Sequence, residues 1–199
     1  MRAYILLGGF LIGFLSLVLA QEQENKFLQI VDSVLYSNHN KLEYNDQLKI
    51  LLYQSLTKSA KEIQSFDSNG LIYELQDEKA RLQILSWAIQ ISDKWEYFAY
   101  VKSYNEPRKK YVVWELLAFD LWEPQYYNSK GDADNWPGAV YYKLIEKEYR
   151  DRKYYTLLGW LPEKNQTAFK VIEVLTISKS GRLSFGKSSY FSVDKTKVE

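Results

Sequence analysis

The sequence predicts an α+β fold, an N-terminal helical hairpin packed on an antiparallel β-meander, as an open curved sheet or a partial barrel. Three observations carry that reading. Apolar residues recur at helical spacing from Asn25 to Ile63. From Leu82 onward they alternate or form short blocks between turn signals. Aromatics reach 16% of the chain, with 17 Tyr and 6 Trp, and these residues suit a pleated surface. Hydrophobic residues are 46% of the 199, enough for one core. Residues 21–199 are therefore read as a single domain, helical over 21–66 and mainly β over 71–199.

Residues 1–20 have the form of a secretory signal peptide. Arg2 is their only charge, Tyr4 to Leu19 is almost wholly apolar, and Val18-Leu19-Ala20 ends in small residues before a polar Gln-Glu run. The competing reading, an uncleaved anchor, needs a longer span and a basic flank. Cleavage implies export, to the periplasm or the cell exterior, with no transmembrane span left. The chain has no Cys, so there are no disulfides, thiolate ligands, cysteine nucleophiles or lipoprotein attachment. Removing Arg2 from 26 basic residues leaves 25 against 25 acidic ones. A neutral chain gives no overall pull toward nucleic acid or anionic membranes.

The elements follow in order. Phe27, Leu28, Ile30, Val31, Val34 and Leu35 mark a first helix, broken by Ser37 to Asn40. A second helix is read from about Tyr44 to Ile63, capped by Asn45 or Asp46, with Leu48, Leu51, Leu52, Ser55 and Leu56 facing inward. Asp67 to Gly70 is a loop signal. Strands are read at Leu82–Ile91, Trp95–Val101 and Tyr111–Phe119, with Leu82, Ile84 and Ser86 on one side of the first and Leu85, Trp87 and Ile89 on the other. A long loop covers Trp122–Asn135.

Val140–Tyr149 and Tyr154–Leu161 then form a hairpin. With Asp151-Arg152 as the turn, Tyr149 faces Tyr154 and Ile145 faces Leu158. Tyr141, Ile145, Tyr149, Tyr154, Leu158 and Trp160 then share one face, and Val140, Tyr142, Leu144, Tyr155, Leu157 and Leu161 the other. Both faces are apolar, which places the hairpin centrally and covered on both sides. Phe169–Ile177 and Leu183–Phe185 make a last pair around Ser180-Gly181. A further strand-like run begins at Tyr190, and its abrupt stop at Glu199 suggests a chain truncated at the C-terminus.

Three runs carry a resemblance: Trp136-Pro137-Gly138-Ala139-Val140-Tyr141-Tyr142-Lys143, Lys153-Tyr154-Tyr155-Thr156-Leu157-Leu158-Gly159-Trp160, and Lys170 to Leu175. Over residues 25–199 the chain resembles an uncharacterised family of secreted or periplasmic proteins of Gram-negative bacteria. That family has no assigned activity, so the resemblance brings no functional residue with it.

Few side chains suggest chemistry. His39 is the only histidine and sits between two Asn, without a Gly-x-Ser-x-Gly elsewhere, so it is read as a solvated loop residue. One His and no Cys leave no ordinary zinc site, and no cofactor is expected. Asp132-Ala133-Asp134-Asn135 offers alternating oxygens, but Trp136 and Pro137 occupy places a calcium loop needs, so an ordinary acidic turn is preferred. Asn165-Gln166-Thr167 matches a glycosylation pattern of little specificity.

The doubled tyrosines are the sharper signal. Trp122, Tyr126, Tyr127, Trp136 and Tyr142 are the candidate ligand-binding residues, an aromatic platform for carbohydrate or peptide, against the alternative that they form core and rim. The expected function is a non-enzymatic binding or interaction module, with carbohydrate, peptide or an envelope protein as partner. Two alternatives stand beside it. One is a carboxylate-dependent hydrolase acting on a sugar or envelope polymer through Glu115 or Asp120 together with a loop acid such as Asp132. The other is an envelope scaffold without a small ligand.

Overall fold

The computed structural model describes residues 21–58, 70–118, 130–150, 152–162 and 168–186. The signal-like segment, the Asn165 pattern and the run from Tyr190 lie outside them. Within them the fold is α+β. Helix α1 (residues 21–36) and helix α2 (Lys41–Lys58) form an N-terminal hairpin. Eight strands follow: β1 Tyr73–Asp77, β2 Leu82–Ile91, β3 Lys94–Asn105, β4 Lys110–Leu116, β5 Val140–Tyr149, β6 Arg152–Pro162, β7 Ala168–Ile177 and β8 Leu183–Phe185. The meander divides into two four-stranded sheets, β1-β2-β3-β4 and β5-β6-β7-β8, every neighbouring pair antiparallel. The chain thus stacks in three layers: helices, first sheet, second sheet.

The sequence of β2 explains the stacking. Its alternation puts Leu82 and Ile84 in the core between the sheets, and Leu85, Trp87 and Ile89 in the core under the helices. A strand buried on both faces belongs in the middle layer. From the helices, Ile30, Val31, Val34, Leu48, Leu52 and Leu56 complete the outer core. Asn45 does not cap α2. The helix starts one turn earlier, where the Asn40 carbonyl accepts from the Tyr44 N–H and Asn40 adopts the left-handed φ that Asn tolerates. Asn45 is instead fully buried, and its Oδ1 accepts from Trp87 Nε1 at 2.8 Å, pinning α2 to β2.

The hairpin differs from its expected register. The pairing is displaced by two residues along β6, so that Tyr149 pairs with Arg152 and Ile145 with Thr156. Arg150 has φ 50°, supplying the left-handed conformation that such a tight turn needs. A bulge at Tyr142 then shifts the register, and Tyr141 pairs with Gly159. Its effect is to turn Tyr141 into the inter-sheet core beside Tyr155 and Leu157, while Tyr142 faces out. The hairpin is not central either. β5 is an edge strand of its sheet, and the outer face leaves Ile145 and Tyr149 exposed.

Gly159 makes the Tyr141 placement possible. A Cβ there would stand 2.9 Å from Tyr141 Cδ1 and 3.0 Å from the Val140 carbonyl oxygen. The tyrosine ring therefore lies across β6 where that strand carries no side chain. Backbone and side chains stitch the sheets along their edges. Gly131 exchanges two hydrogen bonds with Phe185, and Trp136 N–H donates to the Leu117 carbonyl. The β7–β8 turn docks on the first sheet, its Gly181 carbonyl accepting from Trp114 Nε1 at 2.8 Å and from Ser103 Oγ at 3.2 Å.

Two substitutions test this packing. Gly159→Ala should lower stability by about 1–3 kcal/mol, the usual effect of overpacking a filled core, read as a lower urea midpoint. Asn45→Ala should cost a similar ~1–3 kcal/mol, because the Trp87 indole N–H is left buried without its acceptor. An unchanged midpoint for Asn45→Ala would mean that the link between α2 and β2 does not matter to stability.

Candidate functional site

The second sheet has two faces of opposite character. Its inner face holds a buried polar cluster. Tyr141 Oη donates to Glu173 Oε2 and accepts from Trp136 Nε1 at 2.8 Å. Glu173 on β7 pairs with Leu157 on β6, one row along from Gly159. The Tyr141 ring reaches it by crossing the bare position at Gly159. The backbone N–H of Tyr141 donates to Ser86 Oγ of the first sheet at 2.9 Å.

Burial decides the electrostatics. It pushes the Glu173 carboxyl up to about 7, against a smaller opposite effect of the Tyr141 hydrogen bond. Burial, and then the neighbouring Glu173 charge, pushes Tyr141 well above the usual tyrosine range. A carboxyl group titrating near neutrality suits general acid–base work. Here Glu173, Tyr141 and Trp136 are all buried, so the cluster ties loop, strands and sheets together instead of facing a substrate. Lys102 is likewise buried on the helix side of β3. Its Nζ lies 4.9 Å from the Tyr111 ring centroid, and burial lowers its pKa.

The outer face is open at β5 and along part of β7. Tyr142 is 41% exposed, Ile145 43%, Tyr149 54% and Ile172 58%. The pairing brings several of them together: Lys143, Leu158 and Ile172 lie in one row, and Lys170 lies beside Trp160 in the next. Lys170 Nζ sits 5.2 Å over the Tyr142 ring, and Arg150 sits 5.1 Å over the Tyr149 ring.

The candidate platform is therefore divided. Trp122, Tyr126 and Tyr127 lie outside the described residues. Trp136 is fully buried, its indole N–H used by Tyr141, so its ring has no face left for a ligand. Tyr142 is exposed, on the other side of the sheet from Trp136. The sequence does not single out Ile145, Ile172, Lys143 and Lys170 as surface residues, because apolar residues on both faces read as strands covered on both sides.

The carboxylates separate too. Glu115 is on the helix side of β4 and pairs with Lys49 Nζ at 2.7 Å, and Asp120 lies outside the described residues. Asp132 Oδ1 accepts from the N–H groups of Asp134 and Asn135, both at 3.0 Å, so it closes its own turn. Among the described residues no group of three or more His, Cys, Asp or Glu could hold a metal ion. His39 is an exposed loop residue whose N–H donates to Ser37 Oγ. No described helix is long and apolar enough to cross a membrane. No family model, no curated protein and no solved structure matches the chain.

The buried carboxyl makes a pH prediction whose sign is set by its raised pKa. Folded Glu173 keeps its proton up to about pH 7, whereas the unfolded chain releases it near 4.5. The native state binds the extra proton, so this group's contribution is fully present below 4.5 and is lost as pH rises through 7. The loss is on the order of 3 kcal/mol. Glu173→Gln should flatten that part of the stability–pH curve, measured as the difference between the two proteins' urea titrations from acid to neutral pH. A parallel pair of curves would mean that Glu173 does not titrate in this range.

Proposed function

We propose that the chain is an exported, non-enzymatic binding module that meets its partner through the outer face of the second sheet. The observation that supports this most is the concentration of exposed apolar side chains there, Tyr142, Ile145, Tyr149 and Ile172 on one sheet face. Burying such residues favours association, and contiguous exposed apolar surface marks contact sites more often than it marks idle surface. The export part rests on the signal-like residues 1–20 and on the motif resemblance to secreted bacterial proteins. On this reading Glu115 and Asp132 are structural: one is in an ion pair with α2, the other closes a turn.

The test is a thermal melt of the full chain against oligosaccharides, peptides and lipid vesicles. A ligand at roughly 100 times its Kd should stabilise the native state by about 2–3 kcal/mol. The double variant Ile145→Ser with Ile172→Ser should keep the ligand-free melt nearly unchanged and lose the shift. Glu115→Gln and Asp132→Asn should keep it. Loss of the shift in the carboxylate variants, with the double variant intact, would point to carboxylate chemistry and overturn the binding-face reading.

A further inference from the structure

The outer face of the second sheet collects cations. On β5, the outward positions are Lys143, Ile145, Lys147 and Tyr149, and the inward ones are Leu144, Glu146 and Glu148. On β7, Lys170 and Ile172 point outward while Glu173 points inward. On β6, Arg152 shares the outer face with Leu158 and Trp160. Among the described residues the outer face therefore carries Lys143, Lys147, Arg152 and Lys170 and no carboxylate.

None of these four cations is in an ion pair among the described residues. Lys153, which faces the other way, is neutralised by Glu146 at 3.0 Å. The exposed apolar residues of α2 have no such setting. Leu42, Ile50 and Tyr53 lie among Glu43, Asp46 and Lys49, a mixed surface. The net charge of the chain hides this, because one sheet face is basic while the acids lie elsewhere.

The charge and the shape of the face define its partner. A neutral partner would leave the four cations without counter-charges. A polysaccharide is recognised by flat aromatic rings and hydrogen-bonding groups, and Ile145 and Ile172 are neither. The exposed groups share one sheet face with the buried Val140, Tyr154 and Val174. Aliphatic side chains beside tyrosines, with lysines on the same strands, match the boundary of an anionic bilayer. There the acyl region takes the isoleucines, the headgroup level takes the tyrosines, and the phosphates take the lysines.

We infer that the outer face of the second sheet, through Lys143, Lys147, Lys170, Ile145 and Ile172, docks on the surface of an anionic lipid bilayer. The inference rests on the binding-face reading above and names its partner. Docking is peripheral: the sheet lies on the membrane and no strand enters it. Each lysine should strengthen the attraction about fivefold, and salt should weaken it.

The experiment is vesicle co-sedimentation of the full chain, with mixed phosphatidylglycerol–phosphatidylcholine vesicles against pure phosphatidylcholine. The apolar run Tyr4–Leu19 is the same in every variant, so it adds only a background that does not depend on lipid charge. Tighter binding to the anionic vesicles is expected, falling as salt rises from about 0.1 to about 1 M, where the screening length shrinks from about 10 to about 3 Å.

The triple variant Lys143→Glu, Lys147→Glu, Lys170→Glu should weaken it at least about 100-fold. Ile145→Ser with Ile172→Ser should weaken it as well. The off-face triple Lys79→Glu, Arg108→Glu, Lys110→Glu changes the net charge equally and should bind like the parent. Equal binding to both vesicle types overturns the inference, and so does equal loss in the two triples. If the vesicles show no preference while Ile145→Ser with Ile172→Ser still removes a peptide or oligosaccharide melt shift, the face remains a contact site and only the bilayer is wrong. If that shift is absent too, both readings fall.

Discussion

The structure depends on one side chain lying where another is missing. Tyr141 crosses β6 over Gly159 and ends on Glu173, with Trp136 donating to the same hydroxyl. Four separate pieces of chain meet there: the loop before β5, then β5, β6 and β7. Its own backbone N–H reaches Ser86 of the first sheet. A side chain any larger than hydrogen at position 159 would displace the ring, and without the ring Glu173 would be a buried carboxyl with no donor. Buried polar groups are tolerated only when they are partnered, so bulge, glycine and carboxyl have to be present together.

How far the sequence could be read follows from how local each signal was. β2 was legible because its alternation is a property of ten consecutive residues and needs no partner. The helical hairpin is legible for the same reason, although α2 starts about three residues before the stripe that marks it. Lys41 to Tyr44 carries no apolar stripe, and the first helical bond goes back to Asn40. β1 was missed: five residues, Tyr-Glu-Leu-Gln-Asp, are too short and too polar to read as a strand until β2 pairs with them.

The hairpin shows the limit. Its strands were evident, but their register is set by a left-handed Arg150 and a bulge at Tyr142, and no dipeptide signals either. One extra residue in β5 exchanged the faces of Tyr141 and Tyr142 relative to the rest of the strand. From the sequence Trp136 reads as a platform residue for a related reason. Nothing in its neighbourhood announced that its indole N–H would be taken up by a tyrosine five residues on. Composition announced aromatic residues, and only the three-dimensional pairing decided which of them were core.

The same bulge that buries Tyr141 produces the candidate surface. Because it takes up one residue, Lys143, Ile145, Lys147 and Tyr149 fall on the solvent side and Leu144, Glu146 and Glu148 on the other. Without it, either Tyr141 would point to solvent or the lysines would point into the core. Desolvating those lysines costs far more than exposing an isoleucine or two. The exposure of Ile145 is therefore a consequence of how this strand resolves its charges. An edge strand that carries lysines outward is also protected from pairing with other chains. Edge protection accounts for the lysines of β5. It does not account for Lys170 and Ile172, which lie two strands inward on β7, in the sheet interior. Those two residues separate a contact face from mere edge protection.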